Sequence, residues 1–320
     1  MAQIEEGFIA SFPVSRFPSP VSRLPADSLL AMSADYPTGR GRVRVDAAGI
    51  TIEGVSIAGH ESFFKLPGFR TLLEFGRAPD DTLAYGTVCL THGHLDHAAG
   101  LAHHASRRTL TGLGPARVFA PAESIPDLTV WLEASERLEG VRYGTRLEAA
   151  SPGETVALRR DLELRFLPGR HRVPTVGYLF SEVRRKLRDD LADRTGPEIA
   201  ALRESGEEVT RREEIPLLAY PGDCGPAIFD AVPQLFRARV LLIECSFFAP
   251  EDLGRAHAYE HLHISDFADR AGEFQNDFVV LTHFTMRSSP EQIRAGFAAL
   301  PPALARRVVP FLPPDGPGSI

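Results

Sequence analysis

A basic surplus, paired cysteines and long apolar runs are all missing from this chain of 320 residues. Its 35 lysines and arginines are outnumbered by 42 aspartates and glutamates, giving a formal net charge of −7. No global basic field therefore exists to attract a nucleic acid, and any such partner must be held by a local patch. Only Cys89, Cys224 and Cys245 occur, an odd number without CxxC spacing, which argues against a disulfide framework and suits a reducing compartment. The first thirty residues carry Glu5, Glu6 and four prolines where a targeting segment would need a continuous apolar core. No later run approaches the roughly twenty apolar residues of a membrane span. A soluble, cytoplasmic protein without a membrane partner is expected.

Hydrophobic residues make up 43% of the chain, enough for a large core, and one domain is expected. Residues 1–40 mix proline, serine and short apolar pieces such as Phe12-Pro13, Phe17-Pro18 and Leu24-Pro25, which read as an extended arm before a domain at 41–320. Strand-like runs follow at 42–46, 50–57, 71–75, 87–91 and 117–120, and a second set at 162–167, 175–180, 217–220, 240–244, 278–282 and 308–311, with helical stretches between several of them. Two strand-rich halves with helices outside predict an α/β fold, an αββα sandwich. Ser289-Pro290-Glu291 has the cap, first-turn proline and early acid of a helix over about 290–300. The charged excursion at 182–214, with Arg184-Arg185-Lys186 and a Gly-Pro, reads as a solvated helical segment.

His92, His94, Asp96 and His97 follow the β-rich run Val88-Cys89-Leu90-Thr91, so the chain leaves a sheet and presents four potential ligands within six residues. A single histidine is more often packed or at the surface than a ligand, but this density of imidazole and carboxylate donors suits zinc. The spacing cannot place all four on one ion, which argues for two adjacent metals. Further candidates end otherwise apolar runs: His171 after Leu167-Pro168-Gly169-Arg170, Asp223 after Ala219-Tyr220-Pro221-Gly222, and His283 after Val279-Val280-Leu281-Thr282.

Those seven residues resemble the metallo-β-lactamase superfamily, in which His-x-His-x-Asp-His, a later His, an Asp after a Gly and a final His bind two metals. The resemblance implies that His92, His94 and His171 hold one ion, Asp96, His97 and His283 the other, and that Asp223 bridges them. The di-iron branch usually has Glu where His94 stands, so two divalent ions, Zn2+ first and Mn2+ second, are expected.

Smaller motifs are similar to ribonuclease Z, the branch that trims precursor tRNA 3′ ends. They are Val176-Gly177-Tyr178 after His171, Gly196-Pro197 followed by Leu202 and Gly206, Tyr220-Pro221-Gly222-Asp223, Glu244-Cys245-Ser246-Phe247 and His283-Phe284-Thr285-Met286-Arg287. The resemblance spans about residues 50–300. It implies a phosphodiester substrate, RNA or precursor tRNA, and a homodimer. It also implies a catalytic histidine in Glu260-His261-Leu262-His263-Ile264-Ser265, where His261 stands at the better distance from the following helix and His263 is the alternative. The family's long tRNA-gripping arm is reduced to residues 179–195, and its Arg-Tyr is Arg287-Ser288 here. Arg184, Arg185, Lys186 and Arg188, or a basic surface near Arg107 and Arg108, are the candidates for phosphate contacts.

Two ions about 3.5 to 4 Å apart can hold a bridging hydroxide and clamp phosphate oxygens. Asp96 could orient or deprotonate the water, His261 held by Glu244 could protonate the leaving oxygen, and Arg287 could neutralise phosphate charge. His60 and the pair His103-His104 are assigned to structure or to the rim. The competing readings are a hydrolase of a thioester, lactone or small cyclic phosphodiester, and a noncatalytic binding protein stabilised by metal.

Overall fold

Val43, Val45 and Ala47 alternate with Arg44 and Asp46, as a strand with one buried face requires, and in the computed structural model this run opens the first of two seven-stranded sheets. The structure describes residues 42–312, so the arm read at 1–40 lies outside the described residues. The first sheet takes its strands in chain order: β1 (Val43–Ala47), β2 (Ile50–Ile57), β3 (Glu61–Leu66), β4 (Thr71–Leu73), β5 (Thr87–Cys89), β6 (Arg117–Pro121) and β7 (Arg146–Ala150). The second repeats the plan with β8 (Thr155–Arg159), β9 (Leu162–Pro168), β10 (Val176–Leu187), β11 (Thr210–Tyr220), β12 (Val240–Glu244), β13 (Phe278–Thr282) and β14 (Val308–Pro310). In each sheet the first four strands run antiparallel and the last four parallel.

Alternation along the parallel strands sorts the core into layers. Cys89, Phe119, Leu242 and Val280 point between the sheets, where they meet Phe64, Phe166, Tyr178 and Phe180. Their neighbours point outward: Val88 and Val118 against Leu101, Leu128 and Leu132 of the helices Leu101–Leu110 and Ile125–Glu139, and Leu241, Ile243 and Leu281 against Phe267 and Ile293 of the helices Ile264–Asp269 and Pro290–Ala298. Strands covered on both faces must be apolar throughout, which is why these runs stood out in the sequence. The result is the expected αββα sandwich.

Strands β3, β7 and β8 have no counterpart in the sequence reading, because Glu61 and Lys65, Arg146 and Glu148, and exposed Thr155 and Arg159 interrupt their apolar pattern. The charged excursion at 182–214 is also not the helical segment expected. β10 and β11 continue through it as a hairpin, with Val183 opposite Glu214 and Leu187 opposite Thr210, and the helix Gly196–Glu204 occupies only part of what lies between. Charge does not disfavour strand here, because the cations find carboxylates close by: Arg184 pairs with Glu182, Arg185 with Glu208, Arg188 with Asp190 and Glu207, Arg211 with Asp189, and Arg212 with Glu163. Among the described residues no helix is long and apolar enough to cross a membrane.

Two backbone bonds and one from backbone to a side chain join the halves where the parallel strands end. Val176 N–H donates to Thr91 O at 3.0 Å, Ala58 N–H to Phe284 O at 3.2 Å, and His283 N–H to Ser56 Oγ at 3.0 Å. Tyr178 reaches across the core from β10, its hydroxyl 2.7 Å from Leu90 O, and so fixes the chain two residues before His92.

Candidate metal centre

The seven residues singled out in the sequence converge at that end of the sandwich. His92 and His94 leave β5, and Asp96 and His97 sit in the short helix Leu95–Ala98 that begins directly after them. His171, Asp223 and His283 come from the turns after β9, β11 and β13. Gly222 is in the left-handed region at φ 73°, and a Cβ there would lie 2.7 Å from Thr91, so glycine lets the Asp223 turn reach the first motif. Gly177 serves the same approach from β10, since a Cβ would stand 3.0 Å from Pro221 Cα. His283 itself has φ 59°, a conformation costly for a non-glycine residue and held by its N–H bond to Ser56.

Donor atoms face one another in two groups. In the first, His94 Nδ1 lies 3.1 Å from His92 Nε2 and 3.3 Å from His171 Nε2, and Asp223 Oδ2 is 3.7 Å from His92 Nε2. In the second, His283 Nε2 is 3.4 Å from each of Asp96 Oδ2, Asp223 Oδ2 and His97 Nε2, while His97 Nε2 is 3.4 Å from Asp223 Oδ2 and 3.6 Å from Asp96 Oδ2. Ligands about 2.0 to 2.1 Å from a tetrahedral zinc ion are separated by edges of about 3.3 Å. Both groups have spacings close to that edge, and Asp223 belongs to both.

The outward ring nitrogens explain why the inward ones carry lone pairs. Thr91 Oγ–H donates to Glu74 at 2.5 Å, so its oxygen accepts from His92 Nδ1 at 2.9 Å. Ser246 Oγ–H donates to Glu244 at 2.7 Å, so its oxygen accepts from His283 Nδ1 at 3.0 Å. His171 Nδ1 donates to the Glu260 carbonyl at 3.1 Å, and His97 Nδ1 stands 3.5 Å from Glu74 Oε1. In His92, His283 and His171 the hydrogen is thereby fixed on the far side of the ring, which orients the other nitrogen inward, while His97 Nδ1 faces Glu74 without a hydrogen bond. Burial, reinforced by the neighbouring His97, pulls His92 well below its ordinary pKa, and burial lowers His94 and His171, so all three are neutral imidazoles. Burial would raise Asp223, but the imidazoles of His283 and His97 hold it well below the usual carboxylate range. Burial works against a charged His97, but Asp223 and Glu74 raise it well above its ordinary value, so without metal the second group holds a proton that a divalent cation would displace. This mix of imidazoles and buried carboxylates is chemically suited to such a cation.

Glu74 was missed in the sequence, although it carries the signal used for the others, a polar residue ending the apolar run of β4. It is fully buried, has φ 58°, and accepts the Thr91 N–H at 3.0 Å.

Glu244 is a second hub. Besides Ser246, it accepts Cys224 N–H at 2.8 Å, His261 Nδ1 at 2.7 Å and Leu262 N–H at 3.3 Å. His261 lies with ring centroids 5.2 Å from His171 and 5.5 Å from His283. His263 faces elsewhere: its Nδ1 accepts the Ser265 N–H that caps the helix Ile264–Asp269, and its Nε2 donates to Ala249 O at 3.1 Å. Of the two histidines, His261 alone therefore stands beside the donor groups.

Arg287 is exposed, with no side-chain partner among the described residues. His60 is exposed at the rim, where the neighbouring Gly59 N–H donates to Asp96 Oδ2 at 2.8 Å. His104 is buried edge-on to Phe75, and burial together with Arg108 lowers it to about 4. The basic surface considered at Arg107 and Arg108 does not form. Arg108 is buried with its guanidinium on the carbonyls of Leu83, Leu113 and Gly114, and Arg107 pairs with Asp80 at 3.2 Å.

Comparison with known proteins agrees with this architecture. Residues 66–284 match the family described as a Beta-lactamase superfamily domain. A chloroplastic tRNase Z from Arabidopsis thaliana is 30% identical over 97% of this chain and 89% of that protein. A second tRNase Z from the same plant is 30% identical over 81% of this chain and 94% of its own length. The crystal structure of a metallo-β-lactamase fold protein from Bacillus subtilis, 16% identical, superposes with a TM-score of 0.51 over 87% of this chain and 98% of that one, which shows a shared fold. This chain belongs to the metallo-β-lactamase superfamily and, within it, to the metal-dependent hydrolases of the ribonuclease Z family.

Proposed function

We propose that the protein is a dinuclear zinc phosphodiesterase that cleaves RNA at precursor tRNA 3′ ends. The observation that carries the metal reading is the pair of donor groups with near-tetrahedral spacing sharing Asp223. His92, His94 and His171 would hold one ion, Asp96, His97 and His283 the other. When bound, the two ions supply an activated water and neutralise phosphate charge. Around them Asp96 orients that water, His261 donates a proton to the leaving oxygen, Glu244 holds the His261 ring, and Arg287 contacts a nonbridging phosphate oxygen. Glu74 and Glu244 keep the ligand rings turned inward through Thr91 and Ser246. Such supporting bonds are typically worth tenfold to hundredfold in metal affinity, so Ser246→Ala should weaken binding of the second ion by about that factor, measured by calorimetric zinc titration.

The deciding assay offers metal-loaded protein a precursor tRNA, bis(p-nitrophenyl) phosphate, a cyclic dinucleotide and a thioester in parallel. Cleavage of the precursor and of bis(p-nitrophenyl) phosphate is expected. Hydrolysis of the thioester alone would transfer the site to another bond, and loss of all four activities with metals bound would make it a binding protein.

The hairpin β10–β11 bears on how the substrate is held. Arg184, Arg185 and Arg188 each sit on a carboxylate, so few cations remain to displace counterions from the tRNA body. Each phosphate contact contributes about −0.9 to the slope of log affinity against log salt on a duplex. A shallow slope, equivalent to about two or three contacts, is expected for precursor tRNA. A steep one would show that a basic surface lies elsewhere.

A further inference from the structure

The turn that brings His261 to the metal centre also displays an aromatic ring. Tyr259 N–H donates to Arg255 O and Ala256 O at 3.1 and 3.2 Å, and His261 N–H donates to Ala256 O at 2.9 Å. Between them Glu260 is driven to φ 56°, which turns its carbonyl onto His171 Nδ1 at 3.1 Å. The backbone of this turn is thus tied to a candidate ligand on one side and carries the candidate proton donor on the other. Yet Tyr259 stays 51% exposed. The Arg172 guanidinium, next in the chain to His171, stands 5.4 Å from its centroid, close enough for a cation–π contact.

Two more large apolar side chains are exposed close in sequence to the motif residues. Leu95, between His94 and Asp96, is 69% exposed, and Met286, three residues after His283, is 49% exposed. A rigid ring backed by a cation beside a phosphodiester-cleaving centre has the chemistry to receive a flat, aromatic, phosphate-bearing group.

We infer that Tyr259 and Arg172 form a stacking subsite for an unpaired nucleobase next to the scissile phosphodiester. The inference rests on the phosphodiesterase reading and adds to it the substrate's form: single-stranded at the cleavage point, with its base stacked on Tyr259 and a flanking phosphate near Arg172. Stacking on an aromatic is tolerant of base identity, so the subsite selects for strandedness rather than for sequence. It also gives the site an aromatic, which Arg287-Ser288 does not supply.

Two measurements test this. The first compares Tyr259→Ala and Tyr259→Phe on a short single-stranded RNA and on the same RNA with an abasic residue at the cleavage point. Tyr259→Ala should lower kcat/KM on the base-bearing RNA by about tenfold to a hundredfold, mostly through KM, with little change on the abasic one, and Tyr259→Phe should behave as wild type. Equal losses on both RNAs, or no loss on either, would overturn the subsite. The second needs no catalysis. The chain has one tryptophan, Trp131, on the helix Ile125–Glu139, so Tyr259→Trp adds a reporter in the turn. Its added emission should be quenched by adenosine 5′-monophosphate and not by ribose 5-phosphate, and Arg172→Ala should weaken that quenching. Identical responses to the two ligands count against stacking. Absence of phosphodiester cleavage in the metal-loaded wild type would remove the functional reading alone, because the quenching experiment still decides the subsite.

Discussion

Replacing Asp223 by alanine is expected to empty both halves of the metal centre at once. Its Oδ2 lies within 3.4 Å of His97 Nε2 and His283 Nε2 and 3.7 Å from His92 Nε2, so one carboxylate oxygen belongs to both donor groups. Asp223 is 3% exposed, and among the described residues no other carboxylate is placed to take over that position between the groups. Elemental analysis of purified protein reconstituted with excess zinc should fall from about two equivalents to near none, with hydrolysis lost in parallel. His94→Ala, which touches only the first group, should keep the second ion and therefore about one equivalent. A wild-type preparation that never holds more than one equivalent would defeat the dinuclear assignment. A folded Asp223→Ala protein that keeps two would show that the groups fill independently.

Much of this centre is legible in the sequence because its ligands punctuate apolar strands. A strand covered on both faces cannot absorb a histidine or an aspartate, so polarity reappears where the strand stops, and His92, Asp223 and His283 mark such ends, while His171 follows β9, whose last apolar pair is buried after an alternating start. The same logic located β5, β12 and β13 to within two residues, and β12 and β13 without error. It failed for β7 and β8, whose exposed positions break the pattern, and for the hairpin at 182–214, where strand pairing and local ion pairs outweigh the composition. Glu74 shows a different limit. Its role depends on Thr91 and His97, which reach it only after the sheet has assembled, and a carboxylate at a strand end gives no hint of which ring it will orient. Spacing favours His261 over His263 without excluding the latter. Backbone geometry separates them, because the Ser265 N–H claims the His263 ring as a helix cap while Glu244 claims His261.

That separation makes the second large effect specific. His261→Ala is expected to slow phosphodiester cleavage by about a hundredfold to ten-thousandfold, the usual contribution of a positioned acid, with metal content unchanged. The Nδ1 hydrogen is held by Glu244 at 2.7 Å, so the Nε2 carries the transferable proton. Burial works against the charged ring, but the charge of Glu244 and its hydrogen bond outweigh it and raise His261 to about 9. In this state the proton is present at neutral pH and is lost only as pH rises through about 9. Glu244→Gln removes the charge that raises the ring, so the midpoint should move to lower pH. Histidine resonances of metal-stripped protein, followed by NMR across that range, report the shift without requiring turnover. His263→Ala should cost about 0.5 to 2 kcal/mol of stability through the lost helix cap while changing turnover only a few-fold. If His263→Ala slows cleavage and His261→Ala does not, the donor is His263 and the ring beside the metal groups has another task. If neither matters, the leaving oxygen takes its proton from solvent, and the raised His261 serves only to neutralise Glu244.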